Sequence, residues 1–131
     1  MILGLGTDIC PVCRWEHLYS KFGEKAVLKI LGKDDAFHLL SGNSKLLPEK
    51  LAGRWAMLEA FGKATKFGLS NWSWRQLRFL NGRLLVEEEL ASTLVKLGVN
   101  NIHASVSHDA GIAFAVVILE RLNTETDASQ A

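Results

Sequence analysis

Cysteine and net charge are both scarce in this chain of 131 residues, and each scarcity excludes a class of protein. Two cysteines do not make the disulfide framework of a small secreted domain, so we expect a reducing, cytoplasmic location. A net charge of +1 gives no overall attraction to nucleic acid or to a membrane surface. No apolar run is long enough to cross a bilayer, and Gly6 and Asp8 interrupt the apolar start too early for a signal peptide.

The overall composition is that of an ordinary globular protein. Hydrophobic residues make up 48% of the chain and charged residues 22%. The length suits one domain, which we place at residues 1–122, and the polar tail at 123–131 is expected to be disordered. The apolar content is generous for so small a monomer, which favours a partner subunit that covers part of the surface.

Hydrophobic periodicity predicts an α+β fold with one long central helix. Alternation over residues 2–9 indicates a strand with two glycines and Asp8 on one side, where another backbone or a ligand can approach closely. The longest helix begins at Pro48, ends near Lys66, and is apolar around most of its girth, as in a buried helix. We also predict helices at 14–22, 24–31, 34–40 and 87–97, and strands at 77–80, 84–86, 102–107 and 112–119.

Two carboxylates form the first candidate site. Asp8 ends the first strand on its glycine side, and Glu59 lies on the central helix among small residues. Carboxylates in a crowded interior repel each other unless a cation lies between them, and Mg²⁺ prefers oxygen ligands of this kind. The alternative is an ordinary helix ion pair between Glu59 and Lys63, one turn further on.

Two further clusters carry polar groups that suit phosphate or proton chemistry. Lys63 and Lys66 share the helix face of Glu59, where cations would offset phosphate charge or simply favour the helix C-terminus. Ser107 and His108 end a strand at a tight turn, where the imidazole can take a proton from an attacking hydroxyl. The alternative for His108 is an ordinary surface residue.

A Cys-x-x-Cys pair at Cys10 and Cys13, with His17 behind it, is a third candidate. This spacing is half of a zinc site or a redox motif. No second pair follows, and the pair lacks the preceding strand–helix unit of a thioredoxin-like protein, so we interpret the cysteines as incidental.

Three segments together resemble the holo-acyl-carrier-protein synthase family of phosphopantetheinyl transferases. They are ILGLGTDI at residues 2–9, RWAMLEAFGKA at 54–64 and HASVSH at 103–108, in the order and spacing of that family. The resemblance extends from Met1 to about Glu120. It implies the phosphopantetheinyl transferase fold, in which a small antiparallel sheet packs against a long central helix and shorter helices.

The resemblance also implies a reaction. The enzyme would transfer 4′-phosphopantetheine from coenzyme A to a serine of apo acyl carrier protein, release adenosine 3′,5′-bisphosphate, and serve fatty acid biosynthesis. Magnesium bound by Asp8 and Glu59 would contact the coenzyme pyrophosphate. The base that deprotonates the serine would be His108, Asp8 or a metal-bound water.

Further residues receive roles from the same resemblance. Lys63, Lys66 and Gly68 would bind the coenzyme phosphates. Ser107 and His108 would line the nucleotide pocket, in a homotrimer with active sites between subunits. Because carrier proteins are acidic, we expect basic residues of the first helix to dock them. The docking candidates are Arg14 and Lys21.

The chain departs from the family pattern at four places near the expected pocket. Leu58 replaces the usual lysine before the signature glutamate, and Pro11 replaces an acidic residue. Segments 66–68 and 81–83 replace two glycine-containing turns. These changes leave open a relative that binds coenzyme A or a carrier protein without transfer, and the cysteines leave open a zinc or redox module.

Overall fold

The structure, a computed structural model, describes residues 1–42, 44–66, 74–80 and 83–123. Every predicted helix and strand is present, with ends within about two residues of the expected ones. The predicted tail beyond residue 123, Gly68 and the Asn81-Gly82 turn lie outside the described residues. The elements are β1 (Ile2–Pro11), α1 (Val12–Phe22), α2 (Glu24–Leu31), α3 (Lys33–Leu40), α4 (Leu47–Thr65), β2 (Leu77–Leu80), β3 (Arg83–Val86), α5 (Glu88–Lys96), β4 (Asn101–Asp109) and β5 (Ile112–Glu120).

A three-stranded antiparallel sheet in the order β1-β5-β4 carries the fold, and this sheet with helix α4 confirms the predicted α+β class. Asp8 pairs with Ala115, which pairs with Val106 on the far strand. Two residues further along, His108 lies on the same row as Ala113. Strands β2 and β3 form a separate two-stranded hairpin.

Helix α4 packs closely on one face of the sheet because two residues of β1 that face it are glycines. A Cβ built on Gly6 would lie 1.8 Å from the carbonyl oxygen of Ala60, and one built on Gly4 would lie 2.1 Å from that of Ala64. Only a residue without a side chain permits so close a contact between strand and helix backbones. The predicted close approach at the glycine side of β1 is therefore confirmed.

Helix α4 is buried around most of its circumference and forms the centre of the core. Its buried residues contact β1, β5 and α1, and the other strands and helices add further apolar side chains. The helix ends at Thr65, because Lys66 adopts a left-handed conformation with φ of 64°. Among the described residues, no helix is both long enough and apolar enough to cross a membrane.

The opposite face of the sheet has no covering element among the described residues, and it is largely apolar along β1 and β5. Leu5 is 61% exposed and Ile9 is 62% exposed, although both lie within strand β1 rather than at a chain end. The register places Phe114 beside Ile9 and Ile118 beside Leu5. We call this set the open sheet face: Leu5, Ile9, Phe114 and Ile118.

Candidate active site

Asp8 and Lys63 meet where β1 and α4 diverge beyond the glycine contact. The Nζ atom of Lys63 donates to the carbonyl oxygen of Thr7 at 2.9 Å and to Oδ1 of Asp8 at 3.2 Å. The Asp8 side chain is 17% exposed and that of Lys63 is 57% exposed, so water screens the pair and it adds little stability. The geometry instead leaves a carboxylate and an ammonium group accessible to a ligand.

Glu59 lies one helical turn before Lys63 on the same side of α4 and is half-buried. Among the described residues, its carboxylate has no hydrogen-bond or ion-pair partner. The alternative pairing of Glu59 with Lys63 is not what the structure shows, because Lys63 pairs with Asp8. Two carboxylates therefore flank one lysine, and only one of them is neutralised by it.

This donor set is compatible with Mg²⁺. Asp8 follows Gly6 on the helix-facing side of β1, and Gly6 touches Ala60, the residue after Glu59. Both carboxylates therefore border the same contact between strand and helix, with solvent access for water and phosphate oxygens. Mg²⁺ typically takes one or two protein carboxylates and keeps the remaining positions for such ligands. No group of three or more acidic, histidine or cysteine ligands occurs among the described residues.

His108 occupies the other side of α4. Its ring packs on Gly53, where a Cβ would lie 3.0 Å from Nε2, and Nε2 donates to the carbonyl oxygen of Glu49 at 3.0 Å. This hydrogen bond leaves Nδ1 as the acceptor nitrogen of the neutral ring. Ser107, the preceding residue of β4, faces the opposite side of the sheet, beside Phe114. The two residues predicted to line one pocket therefore face different sides in a single chain.

A basic hollow of about 600 Å³ surrounds His108 and includes two cations that the sequence interpretation did not select. Lys50 and Arg54 lie four residues apart on α4 and both border the hollow, as does Phe79 of β2. The guanidinium carbon of Arg54 lies 4.9 Å from the centre of the Phe79 ring. The sequence signal that could have found them is their spacing, since two cations four residues apart lie on the same side of a helix. We call this cavity the basic hollow.

Helix α4 separates the two groups of polar residues. At about 100° per residue, Arg54 and Lys63 lie on opposite sides of the helix, nine residues and roughly 900° apart. Gly53, beneath His108, is ten residues from Lys63, or about 15 Å along the axis. A single chain therefore does not bring His108 near Asp8. Glu59 and Lys63 lie beside Asp8 on one side of α4, and His108 borders the basic hollow on the other side.

The other predicted phosphate ligands lie at the end of α4. Lys66 is exposed and follows Lys63 by one turn, but its backbone has left the helix. Gly68 lies outside the described residues.

The docking candidates Arg14 and Lys21 are exposed on α1, which starts four residues after Asp8. They are seven residues apart and share one side of the helix. An apolar hollow of about 440 Å³ lies beside them, between α1, α2 and α4. Its walls include Trp15 and Trp55, whose ring centres are 6.1 Å apart, and two lysines lie at its edge: Lys25 and Lys29.

The two cysteines differ in their surroundings, and no group of three or more metal-ligating residues includes them among the described residues. Cys10 is fully buried on β1, and Cys13 is exposed on α1. Burial raises the pKa of the Cys10 thiol, and the nearby indole of Trp15 only partly offsets this effect. A thiol with a raised pKa is a poor nucleophile and a poor metal ligand at neutral pH, which makes Cys10 an unfavourable member of such a pair, and the incidental role of the two cysteines stays a prediction.

Comparison with known proteins agrees with this architecture. A holo-[acyl-carrier-protein] synthase of Campylobacter hominis is 35% identical over 123 residues, which cover 88% of this chain and 96% of that protein. The synthase of Halalkalibacterium halodurans is 36% identical over 130 residues, which cover 95% of this chain and 100% of that protein. No protein-family model matches the chain.

Solved structures show the same fold. The crystal structure of the Neisseria meningitidis synthase superposes with a TM-score of 0.81 at 27% identity, over 92% of this chain and 100% of that one. The Bacillus anthracis synthase, solved in complex with CoA (3′,5′-ADP), gives a TM-score of 0.72 at 28% identity, over 93% of this chain and 99% of its own. With the identities above, these matches establish that the chain belongs to the holo-[acyl-carrier-protein] synthase family, as the three sequence segments indicated.

Proposed function

We propose that this protein transfers the 4′-phosphopantetheine arm of coenzyme A to a serine of apo acyl carrier protein, as a cytoplasmic enzyme of fatty acid biosynthesis. The observation that carries the proposal is the accessible Asp8–Lys63 pair beside Glu59 at the end of a family-typical strand and helix. Two relatives that are 35% and 36% identical to this chain are holo-[acyl-carrier-protein] synthases.

The proposed reaction exchanges one phosphorus–oxygen bond for another. The serine oxygen bonds to the phosphorus nearer the pantetheine, the bridging bond of the pyrophosphate breaks, and adenosine 3′,5′-bisphosphate leaves. Lys63 would stabilise the charge that develops on the phosphate oxygens. Two groups of this chain can accept the serine proton: Asp8, beside Lys63, and His108, through Nδ1.

Asp8 and Glu59 would hold the magnesium ion that the family implies. Bound there, the ion would offset the negative charge of the pyrophosphate. The carboxylate–lysine–carboxylate arrangement supports this assignment, because Lys63 is long and exposed enough to turn from Asp8 to a phosphate. Lys66, at the end of the helix, would add positive charge on the same side.

The basic hollow is proposed to bind the nucleotide of coenzyme A. Lys50, Arg54 and His108 border it, and two permanent cations suit the 3′-phosphate of the coenzyme. Because the hollow and Asp8 lie on opposite sides of α4, we propose that one coenzyme molecule lies between two subunits. Ser107 would then contribute from the open sheet face rather than from the wall that holds His108.

A homotrimer that buries the open sheet face is part of the proposal. A well-packed monomer seldom exposes a contiguous apolar sheet surface, whereas an oligomer interface requires one. The acyl carrier protein is proposed to dock on α1, where Arg14 and Lys21 meet its acidic surface and the neighbouring apolar hollow receives an apolar side chain.

Leu58 and the altered turn at residues 66–68 motivated the alternative of a relative that binds without transfer, and of the two Leu58 lies wholly within the described residues. That side chain is 5% exposed and packs in the core, about 100° around the helix from Glu59. The replacement therefore leaves the side of α4 that carries Glu59 and Lys63 unchanged, and the transferase remains the favoured function.

The test is to incubate the protein with coenzyme A, Mg²⁺ and an apo acyl carrier protein and to weigh the carrier by intact-mass spectrometry. We expect a gain of one phosphopantetheine arm that is lost on chelation of the metal. Asp8→Ala and Glu59→Ala should abolish the gain while the protein still assembles, and Glu89→Ala, on the exposed side of α5, should retain it. Full activity of either site variant would refute the metal assignment.

A further inference from the structure

A buried ion pair lies directly behind the basic hollow. Asp35 of α3 is only 4% exposed, and Arg78 of β2 donates to its Oδ1 atom from Nη2 at 2.6 Å and from Nε at 3.1 Å. The third guanidinium nitrogen, Nη1, donates to Oε1 of Glu87 at 3.1 Å. A buried aspartate with such short, two-point contacts fixes the position of its partner. Arg78 therefore attaches the β2–β3 hairpin to α3.

The attachment matters because the next residue of β2 faces the hollow. Phe79 follows Arg78, so the two side chains lie on opposite sides of the strand. The Phe79 ring faces the guanidinium of Arg54, and both side chains border the basic hollow. Among the described residues, the Arg54 guanidinium has no hydrogen-bond acceptor, so the ring is its main positional restraint.

The charges of Asp35 and Arg78 also influence the position of Arg54. Burial lowers the pKa of the Arg54 guanidinium, the negative charge of Asp35 opposes that effect, and the positive charge of Arg78 adds to it. Arg54, Asp35 and Arg78 also border one small internal space. Without the Asp35 carboxylate, two guanidinium groups would face each other across this small space, and their repulsion would drive Arg54 away from its position.

We propose that the Asp35–Arg78 pair is a positioning device for Arg54, which holds the Phe79 ring and the guanidinium at the wall of the basic hollow, where the 3′-phosphate of coenzyme A binds. Asp35 touches no substrate and acts through Arg78, Phe79 and Arg54. The inference rests on the proposed function, and it assigns a role in coenzyme selection to residues outside the family-typical segments.

The experiment compares coenzyme A with 3′-dephospho-coenzyme A on the full-length protein, by titration calorimetry and by transfer kinetics. The wild type should prefer coenzyme A, and Arg54→Ala should lose that preference. Asp35→Asn should lower the preference about tenfold and raise KM for coenzyme A with kcat within about twofold, because one charged hydrogen-bond partner is removed. Glu87→Gln, which alters only the exposed end of the network, should resemble the wild type.

A second variant keeps the test decisive if Asp35→Asn does not fold. Phe79→Leu leaves the ion pair intact but removes the ring, and it should lose the same preference. Retention of the wild-type preference by Phe79→Leu, or by a folded Asp35→Asn, would overturn the positioning role while leaving the transferase standing. A wild type that neither binds coenzyme A nor modifies the carrier would overturn both proposals.

Discussion

At the scale of single residues, Gly6 is the glycine that least tolerates a side chain. Gly6→Ala would place a Cβ atom 1.8 Å from the Ala60 carbonyl oxygen, and both partners are backbone. Strand and helix would have to separate, so we expect the free energy of unfolding to fall by about 3 kcal/mol, as for a severe case of overpacking.

Thermal or urea denaturation checks this expectation, and Gly42 supplies the matched control. A Cβ on Gly42 would meet the flexible end of Lys50 at 3.2 Å and the Leu39 carbonyl oxygen at an ordinary contact distance of 3.5 Å, so Gly42→Ala should change stability by less than about 0.5 kcal/mol. Equal losses in the two variants would contradict the close contact between β1 and α4.

The two cysteines should differ sharply in reactivity. Cys13 is exposed, whereas Cys10 is fully buried and burial raises its pKa. We expect a thiol reagent such as DTNB to modify Cys13 quickly at pH 8 and Cys10 only after denaturation. Peptide mass spectrometry identifies the modified residue, and Cys13→Ser should remove the fast phase entirely. Rapid modification of both thiols would reopen the redox interpretation of the Cys-x-x-Cys spacing.

At the scale of an element, the C-terminus of α4 shows a conflict between stability and the proposed function. Lys66 has a left-handed backbone, a conformation that glycine adopts without strain. Lys66→Gly should therefore raise the free energy of unfolding by about 0.5–1 kcal/mol and also weaken coenzyme binding, because a phosphate-facing cation is lost.

Lys66→Ala separates the two effects. It removes the charge but keeps the strained backbone, so it should weaken coenzyme binding with no gain in stability. Melting temperature and calorimetric Kd, measured on the same samples, report the two quantities. Lys66→Gly with unchanged affinity would remove Lys66 from the proposed site.

Periodicity and turn chemistry predicted the elements well, because they are local properties. Pro48 and the apolar residues after it mark α4, and the alternation over residues 2–9 marks β1 to within two residues. The contacts between elements were harder to predict. Whether Lys63 pairs with Glu59 or with Asp8 depends on where β1 crosses the helix. Packing at Gly4 and Gly6 sets that crossing point. Lys50 and Arg54 were missed for the same reason, since only the fold brings β2 and β4 beside them.

At the scale of the whole molecule, the open sheet face should determine assembly. Leu5→Glu would place a charge in the middle of an interface that the proposed homotrimer buries, and we expect a protein of 14.5 kDa instead of three times that mass. Size-exclusion chromatography with light scattering measures the mass. Transfer activity should disappear with the trimer, because the proposed site needs two subunits.

Val95 provides the control for this change. It is 73% exposed on α5, away from the open sheet face, so Val95→Glu should leave both mass and activity unchanged. A Leu5→Glu protein that remains trimeric would show that assembly uses another surface. A monomer that keeps full activity would show that one chain holds a complete site.

Because α4 lies between Asp8 and the basic hollow, two different variants of this protein should complement each other in a mixed trimer. If each active site joins the Lys63 side of one subunit to the Arg54 side of another, Lys63→Ala and Arg54→Ala damage different halves of every site. The two impaired proteins, unfolded together and refolded as mixed trimers, would then complement each other and exceed the activity of either variant alone. Random mixing of equal amounts restores about one site in four, since an intact site needs one particular subunit on each side.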